Sequence, residues 1–219
     1  MIRYDRRIRL LAACLSAVAG YVDGLGFIAL GGLFVSFMSG NSTRLGVGLV
    51  EQPALAFVAL GLIGCFVAGV AAGTLAGHFA RGRRSRLVLG LVALLLALAA
   101  ALGSLDMPGP ALALMAAAMG AENAVFQRDG EVAIGLTYMT GTLVKMGQRL
   151  AAIPLGGDPL AFAPYLLLWL GLVAGALLGA LAYASFALGG LWIAAGAVAV
   201  LALAAPRIED PASAGRAGG

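Results

Sequence analysis

Two acidic side chains lie inside apolar segments, where an ionised group is costly. Asp23 falls within residues 10–32 and Glu122 within residues 110–127. An acid in the apolar layer of a membrane costs about 2.5 to 3.5 kcal/mol on insertion scales, so each needs a hydrogen-bond partner, a proton or an aqueous cavity. We expect a proton-binding or cation-binding site shared by the two acids. The alternative is that each carboxylate simply bonds a neighbouring helix end or hydroxyl group.

Two short polar motifs interrupt other apolar segments, Met-Ser-Gly-Asn at residues 38–41 and Met-Thr-Gly-Thr at residues 139–142. A glycine beside short hydroxyl and amide side chains permits unwound backbone and supplies oxygen ligands or donors. We expect these motifs to line a substrate or ion site, although each member alone is equally typical of a polar helix cap. The candidate lining residues are Ser39, Gly40, Asn41, Ser42 and Thr43 in the first segment, and Asn123, Thr137, Thr140, Gly141 and Thr142 in the second.

Basic residues follow both motifs at the same spacing, Arg44 in the first and Lys145 in the second. Either residue could attract an anionic group or act as a counter-ion to the acids within the membrane. Long basic side chains also reach from apolar segments to the membrane interface, and that explanation remains open.

The polar segments belong to an internal repeat. Residues 36–53 align without a gap on residues 137–154, with identical Met, Gly, Gly, Leu and Pro positions. Asp23 falls opposite Asn123 after a one-residue shift, and VAGVAAG at residues 67–73 resembles VAGALLG at residues 173–179. We therefore expect two copies of one unit. Three spans in each copy would give inverted repeats, and an even number would make the copies parallel.

The elements that position these residues are membrane helices. The chain is 62% hydrophobic and only 11% charged, against roughly half and a quarter in soluble domains. We expect an all-α integral membrane protein whose repeated segments, residues 33–52 and 131–152, are re-entrant or broken helices facing protein or water. The six predicted spans cover residues 10–32, 53–80, 87–105 and 110–127, with two more inside the uncharged residues 159–206.

Arginine clusters before the first span and within residues 81–86 set the predicted orientation, because cytoplasmic loops are enriched in Lys and Arg. Both termini are then cytoplasmic, in a bacterial inner membrane. The net charge of +4 is explained by these clusters, so we expect no nucleic-acid binding. The predicted parts are a basic cytoplasmic N-terminus, two three-helix repeats and a cytoplasmic tail, at residues 1–9, 10–105, 106–206 and 207–219.

Enzyme motifs of the metalloprotease, serine hydrolase and nucleotide-binding types are absent from the sequence, and Cys14 and Cys65 lie in apolar runs. We expect no catalytic activity, no cofactor and no metal. The expected function is a small-solute permease driven by an ion gradient, with a small molecule and a proton or cation as ligands. The alternative is a membrane scaffold, assembly partner or sensor. The expected partners are the lipid bilayer and further copies of the chain.

The segment AGYVDGLGFIALGGLFVSFMSGNSTRLGVGL, residues 19–49, resembles the signature of the YoaK-like bacterial membrane proteins, domain-of-unknown-function family 1275. GAENAVFQ and TYMTGTLVKMGQRL are similar to the second conserved block of that family. The resemblance extends from the first predicted span to the sixth. It implies a six-span inner-membrane protein of undetermined biochemical activity and names no solute.

Overall fold

The computed structural model describes residues 6–80, 83–128, 131–132 and 134–205. Within this part of the chain the architecture is helical, apart from an antiparallel ladder of β1 (Gln127–Arg128) and β2 (Glu131–Val132). The helices are α1 (Arg6–Ala29), α2 (Met38–Glu51), α3 (Pro53–His78), α4 (Arg84–Ser104), α5 (Pro108–Glu122), α6 (Met139–Ala152), α7 (Ala163–Phe186) and α8 (Leu191–Ala204). Short 3-10 turns, Ile153–Leu155 and Ala187–Gly190, follow α6 and precede α8.

Four helical stretches in the described residues are long and apolar enough to cross a membrane. They are α1, α3, α4 and the stretch Ala163–Ala204, which includes α7 and α8. Their outward faces carry large apolar side chains, such as Phe57, which is 66% exposed, and Leu177, which is 62% exposed. Exposed apolar surface of this extent indicates contact with lipid, in agreement with the predicted class.

The fourth predicted span is shorter than expected. The sequence predicted a helix to Gln127, whereas α5 ends at Glu122 and spans about 22 Å at the helical rise. The side-chain amide nitrogen of Asn123, Nδ2, donates to the backbone carbonyl of Met119 at 2.9 Å. The chain then forms turns through residues 123–126. A side chain bonded to the preceding turn competes with continuation of the helix, which explains the early end.

The breaks in the repeated segments lie earlier than predicted. Met-Ser-Gly-Asn and Met-Thr-Gly-Thr form the first turns of α2 and α6 and do not unwind them. The first break is residues 30–37, because Gly31 and Gly32 adopt φ values of 62° and 106° and stop α1. Each repeated segment is therefore a non-helical stretch followed by a helix of 14 residues.

Small residues bring the helices into backbone contact. A Cβ at Gly175 of α7 would lie 1.9 Å from the carbonyl oxygen of Ala17 in α1, and one at Gly69 of α3 would lie 2.0 Å from that of Ala117 in α5. Further contacts in both pairs progress in the same chain direction, so α1 is parallel to α7, and α3 is parallel to α5. Glycine at these positions permits a close approach that any side chain would prevent.

The remaining contacts fix the other directions. Gly103 near the end of α4 lies against Leu188, and Arg86 near its start donates to the carbonyl of Leu203 at 3.5 Å, so α4 and α8 are antiparallel. The hydroxyl of Tyr21, two thirds of the way along α1, donates to the carbonyl of Gly190 immediately before α8. Gly77 at the end of α3 lies against Arg84 at the start of α4, so these two helices are antiparallel. Helices α1, α4 and α7 therefore run in one direction, and α3, α5 and α8 run in the other.

Candidate functional site

Two of the polar residues predicted from the sequence, Asp23 and Asn41, lie at the chain reversal after α1, where Gly26 faces Val35 and Met115. The non-helical residues 33–37 return alongside α1 at this point. A non-helical segment outside a sheet leaves its backbone donors and acceptors without regular partners, so side chains must bond them. Two side chains do so.

Asp23 holds the returning segment through three uncharged donors. One carboxylate oxygen accepts the backbone N–H groups of Val35 and Ser36, both at 2.8 Å, and the hydroxyl of Ser36 donates to the other oxygen. Val35 and Ser36 are buried, and Asp23 is half-buried. Hydrogen bonds to an ionised acceptor are stronger than neutral ones, so Asp23 anchors residues 35 and 36 to α1.

Asn41 bonds the residue immediately before this anchor. Its amide nitrogen donates to the carbonyl of Phe34 at 2.6 Å, and its amide oxygen accepts the N–H of Phe34 at 2.9 Å. Asn41 is fully buried, and this pairing uses both ends of its amide. The predicted lining residue Asn41 therefore positions the break between α1 and α2.

The second copy forms the corresponding contact with neutral groups. The hydroxyl of Thr137 donates to the amide oxygen of Asn123 at 3.2 Å, and both residues are buried. Asn123 and Thr137 thus occupy the roles of Asp23 and Ser36. The alignment of the two repeated segments likewise places Asp23 opposite Asn123 after a one-residue shift.

Glu122 has a different environment from Asp23. Its side chain is 0% exposed, and neither carboxylate oxygen has a hydrogen-bond partner in the described part of the chain. An ionised carboxylate without donors in a fully buried position is far costlier than one bonded as Asp23 is.

The other predicted lining residues of α2 do not join this group. Ser39, Ser42 and Thr43 are exposed on the outer face of the helix. The hydroxyl of Ser42 donates to the carbonyl of Met38 at 2.8 Å, and that of Thr43 donates to the carbonyl of Ser39 at 3.3 Å. Bonding to the preceding helical turn satisfies these hydroxyl groups locally. Gly40 instead packs under Phe37, whose ring would lie 2.5 Å from an added Cβ.

The predicted residues of α6 are likewise divided between two faces. Thr142 is buried, while Thr140 and Gly141 are exposed. Lys145 is also exposed. Of this set, only Thr142 lies on the side of α6 that faces the rest of the molecule.

Among the described residues, the donors to Asp23 are two backbone N–H groups and a hydroxyl group, and Arg44 is not one of them. Its guanidinium group lies beside Gly32, 3.2 Å from the position of a Cβ at that glycine. With Glu51 and Gln52 it lines a cavity of about 180 Å³ between α2 and the start of α3. The predicted counter-ion role of Arg44 is therefore not seen in the hydrogen bonds of Asp23.

Arg84 is a positioning residue that the sequence analysis treated only as a topology signal. Its Nε donates to the carbonyl of Ala124 at 3.0 Å, and its Nη2 donates to the side-chain oxygen of Gln127. These bonds tie the turn after Glu122 to the start of α4. An arginine immediately before an uncharged span signals membrane orientation equally well without such a bond, so the sequence could not distinguish the two roles.

No group of three or more His, Cys, Asp or Glu side chains that could hold a metal ion occurs among the described residues. The fold and the polar groups define an all-helical membrane protein with two acids in its helices, one of which, Asp23, bonds a broken helical segment. The chain belongs to the family described as "Protein of unknown function (DUF1275)", whose model matches residues 11–204. This confirms the resemblance found in the sequence.

The name of a related protein likewise states that it is a transmembrane protein and gives no activity. The chain is 35% identical over 199 residues to the UPF0700 transmembrane protein RA0705 of Rhizobium meliloti (strain 1021), an alignment that covers 90% of this chain and 86% of that protein. No solved structure matches the chain. Membership of this family supports the membrane class and leaves the activity to be inferred from the site.

Proposed function

We propose that the protein is an ion-coupled permease for a small solute, located in the bacterial inner membrane. The observation that carries the proposal is Glu122, a fully buried carboxyl group without a hydrogen-bond partner in the described chain. Ionisable residues inside membrane segments mark ion or substrate pathways, because their cost is retained only where they serve a function.

The proposed architecture is six spans arranged as two inverted repeats, α1 to α4 and α5 to α8. Three features support it. Helices α1 and α5 run in opposite directions, as do α3 and α7, and α4 and α8. The contact of α1 with α7 corresponds to that of α5 with α3, and the contact of α2 with α3 to that of α6 with α7. In inverted-repeat transporters, substrate and ion sites lie at the repeat interface beside broken helices.

The proposed orientation places the starts of α1 and α4 in the cytoplasm, since both carry arginine and both helices run in the same direction. Residues 106–109 then face the periplasm, and both termini face the cytoplasm. Residues 1–5, 81–82 and 206–219, which include much of the predicted N-terminus and tail, lie outside the described residues.

Coupling of ion binding to transport follows from the free-energy cost of leaving the buried Glu122 ionised and without a bound ion. A proton or cation that neutralises Glu122 removes the penalty of a buried, unbonded carboxylate. Loss of that ion is favourable only where water or a solute can reach the group. Binding of the ion and exposure of the site are therefore linked, which is the requirement for transport driven by a gradient. We accordingly propose a transporter that needs no cofactor and performs no catalysis.

The test is uptake of a panel of small metabolites by proteoliposomes under an imposed pH or sodium gradient. We expect gradient-dependent uptake of at least one solute class by the wild-type protein and its loss in Glu122→Gln. The matched control is Glu51→Gln, which makes the same chemical change at an exposed acid of α2 and should retain uptake. Uptake unchanged in Glu122→Gln would remove this residue from the mechanism.

A membrane scaffold or sensor is the second candidate, and one observation favours it. The carboxylate of Asp23 bonds three donors, which is the arrangement expected of a structural acid. If the wild-type protein moves no solute under any gradient, and Asp23→Asn lowers the yield of folded protein, this function replaces transport.

A further inference from the structure

We propose that Arg84, through its bonds to Ala124 and Gln127, is a latch that keeps water away from Glu122 at the end of the molecule where α4 begins. This role rests on the proposed transport function for its purpose, because alternating access needs a barrier on each side of the site. Arg84 is a positioning residue, since it acts on Glu122 through the turn that it holds. Its effect can be measured on the purified protein without any solute.

The side chain of Arg84 joins the ends of three helices. Arg84 is the first residue of α4, and its Nε donates to the carbonyl of Ala124 at 3.0 Å, while Nη2 donates to the side-chain oxygen of Gln127. Both acceptors belong to the chain immediately after α5. On its way the side chain passes the end of α3, where a Cβ at Gly77 would lie 2.9 Å from Nε. The glycine therefore leaves room for the guanidinium group to reach the turn after α5.

The turn held by Arg84 is continuous with Glu122. Glu122 is the last residue of α5, and its backbone carbonyl accepts the N–H of Val125 at 3.1 Å. Residues 123–126 are buried, with exposed fractions between 1% and 6%. The carboxyl group of Glu122 has no hydrogen-bond partner among the described residues. Its exclusion from water therefore depends on the packing of this turn and of the neighbouring helices.

A guanidinium group suits a contact that must hold and still be released. It presents its donors in a rigid planar fork, and here it bonds a backbone carbonyl and an amide oxygen together. Hydrogen bonds from a charged donor stabilise more than neutral ones. Arg84 is also half-buried, so its donors can exchange these two acceptors for water when the turn moves. The contact is strong while it is closed, and opening it leaves no buried charge.

The opposite end of the molecule is held by contacts that do not include Arg84. In the last third of α1, Asp23 accepts the backbone N–H of Val35 at 2.8 Å. The hydroxyl of Tyr21 donates to the carbonyl of Gly190 at 2.9 Å, immediately before α8. Because α8 is antiparallel to α4, its start lies at the end of the molecule away from Arg84. Loss of the latch should therefore open one end alone.

The experiment measures how fast a water-soluble maleimide labels a single buried cysteine in a background with Cys14→Ala and Cys65→Ala. Glu122→Cys reports on the site behind the latch, and Val35→Cys reports on the opposite end. Both positions are 0% exposed. A buried thiol reacts through a locally opened state, so its labelling rate follows the population of that state.

Arg84→Gln should raise the labelling rate of Glu122→Cys by about tenfold or more, because a hydrogen bond from a charged group changes an equilibrium by about ten- to a hundredfold. The rate of Val35→Cys should stay unchanged. The matched control is Arg83→Gln, which makes the same chemical change at the preceding, exposed residue and should alter neither rate. Gln127→Ala removes one acceptor of the latch and should raise the rate of Glu122→Cys by a smaller factor than Arg84→Gln.

The latch is refuted by an unchanged rate of Glu122→Cys in Arg84→Gln, or by an equal rise in Arg83→Gln. Equal rises of Glu122→Cys and Val35→Cys would also refute it, because they show a general loss of packing. If Arg84→Gln fails to fold, Gln127→Ala decides the question by the same two rates. Selective opening at Glu122 in a protein that moves no solute under any gradient would support the latch and overturn the transport function alone.

Discussion

Before α2, Ser36 donates its hydroxyl to the carboxylate of Asp23, and before α6, Thr137 donates its hydroxyl to the amide of Asn123. The two contacts occupy corresponding places in two related segments, but only the first contains a group that can change its charge. The first repeated segment also has Asn41 bonded to Phe34, where the aligned residues of the second are Thr142 and Gly135. The comparison teaches that similar contacts can be built on an ionisable acceptor in one segment and on a neutral acceptor in the other.

The helix interfaces of the two halves differ much less. Gly69 and Gly175 each face a carbonyl oxygen at about the same distance, 2.0 and 1.9 Å from an added Cβ. The glycine contacts of the two helix interfaces are thus matched, and the two segments differ in their polar breaks. The predictions below test the similarity first and the difference afterwards.

The largest effect is expected at the matched glycines. Gly69→Ala and Gly175→Ala each place a Cβ against backbone that must shift, with a cost of about 3 kcal/mol or more. We expect both to lower the thermal stability of the purified protein by similar amounts. The control is Gly64→Ala in α3, where nothing lies within 4 Å of an added Cβ, and it should gain about 0.5 to 1 kcal/mol of helix stability. Unequal losses of thermal stability in the two variants would contradict the equivalence of the two glycine contacts.

A comparably large effect is expected to separate Asp23→Ala from Asn123→Ala. The first variant leaves two buried backbone N–H groups and one hydroxyl without their acceptor, at roughly 1 to 3 kcal/mol for each group. The second removes one hydroxyl acceptor and one donor to a helix carbonyl, so its cost should be about 1 to 2 kcal/mol. Thermal unfolding of both variants in the same detergent measures the difference. Equal destabilisation would show that the charge at Asp23 adds nothing to the anchor.

The smallest effect is expected for the paired hydroxyl groups. Ser36→Ala removes a bond to a charged acceptor, worth about 1.5 to 3 kcal/mol, and Thr137→Val removes one to a neutral amide, worth about 0.5 to 1.5 kcal/mol. Ser36→Ala should therefore be the more destabilising variant at neutral pH. At acid pH the two losses should become similar, because protonation of Asp23 makes its acceptor neutral. If the stability losses of the two variants differ as much at acid pH as at neutral pH, this result would argue against titration of Asp23.

Several features of the fold followed from the sequence. The membrane class, the family, the positions of the long helices and the polar character of the two segments are all visible in local composition and spacing. The sequence placed the breaks at the wrong residues, because Met-Ser-Gly-Asn suits the first turn of a helix as well as it suits an unwound one.

The sequence by itself determined that two acids lie in apolar segments and that residues 36–53 resemble residues 137–154, since apolar length and residue spacing are local properties. Only the tertiary structure decided that Asp23 bonds residues 35 and 36 while Glu122 has no bonded partner among the described residues. These environments depend on where the chain returns after α1 and on which helices surround α5. Hydrogen bonds across a chain reversal, and burial between helices distant in sequence, arise from packing and have no signature in the pattern of neighbouring residues.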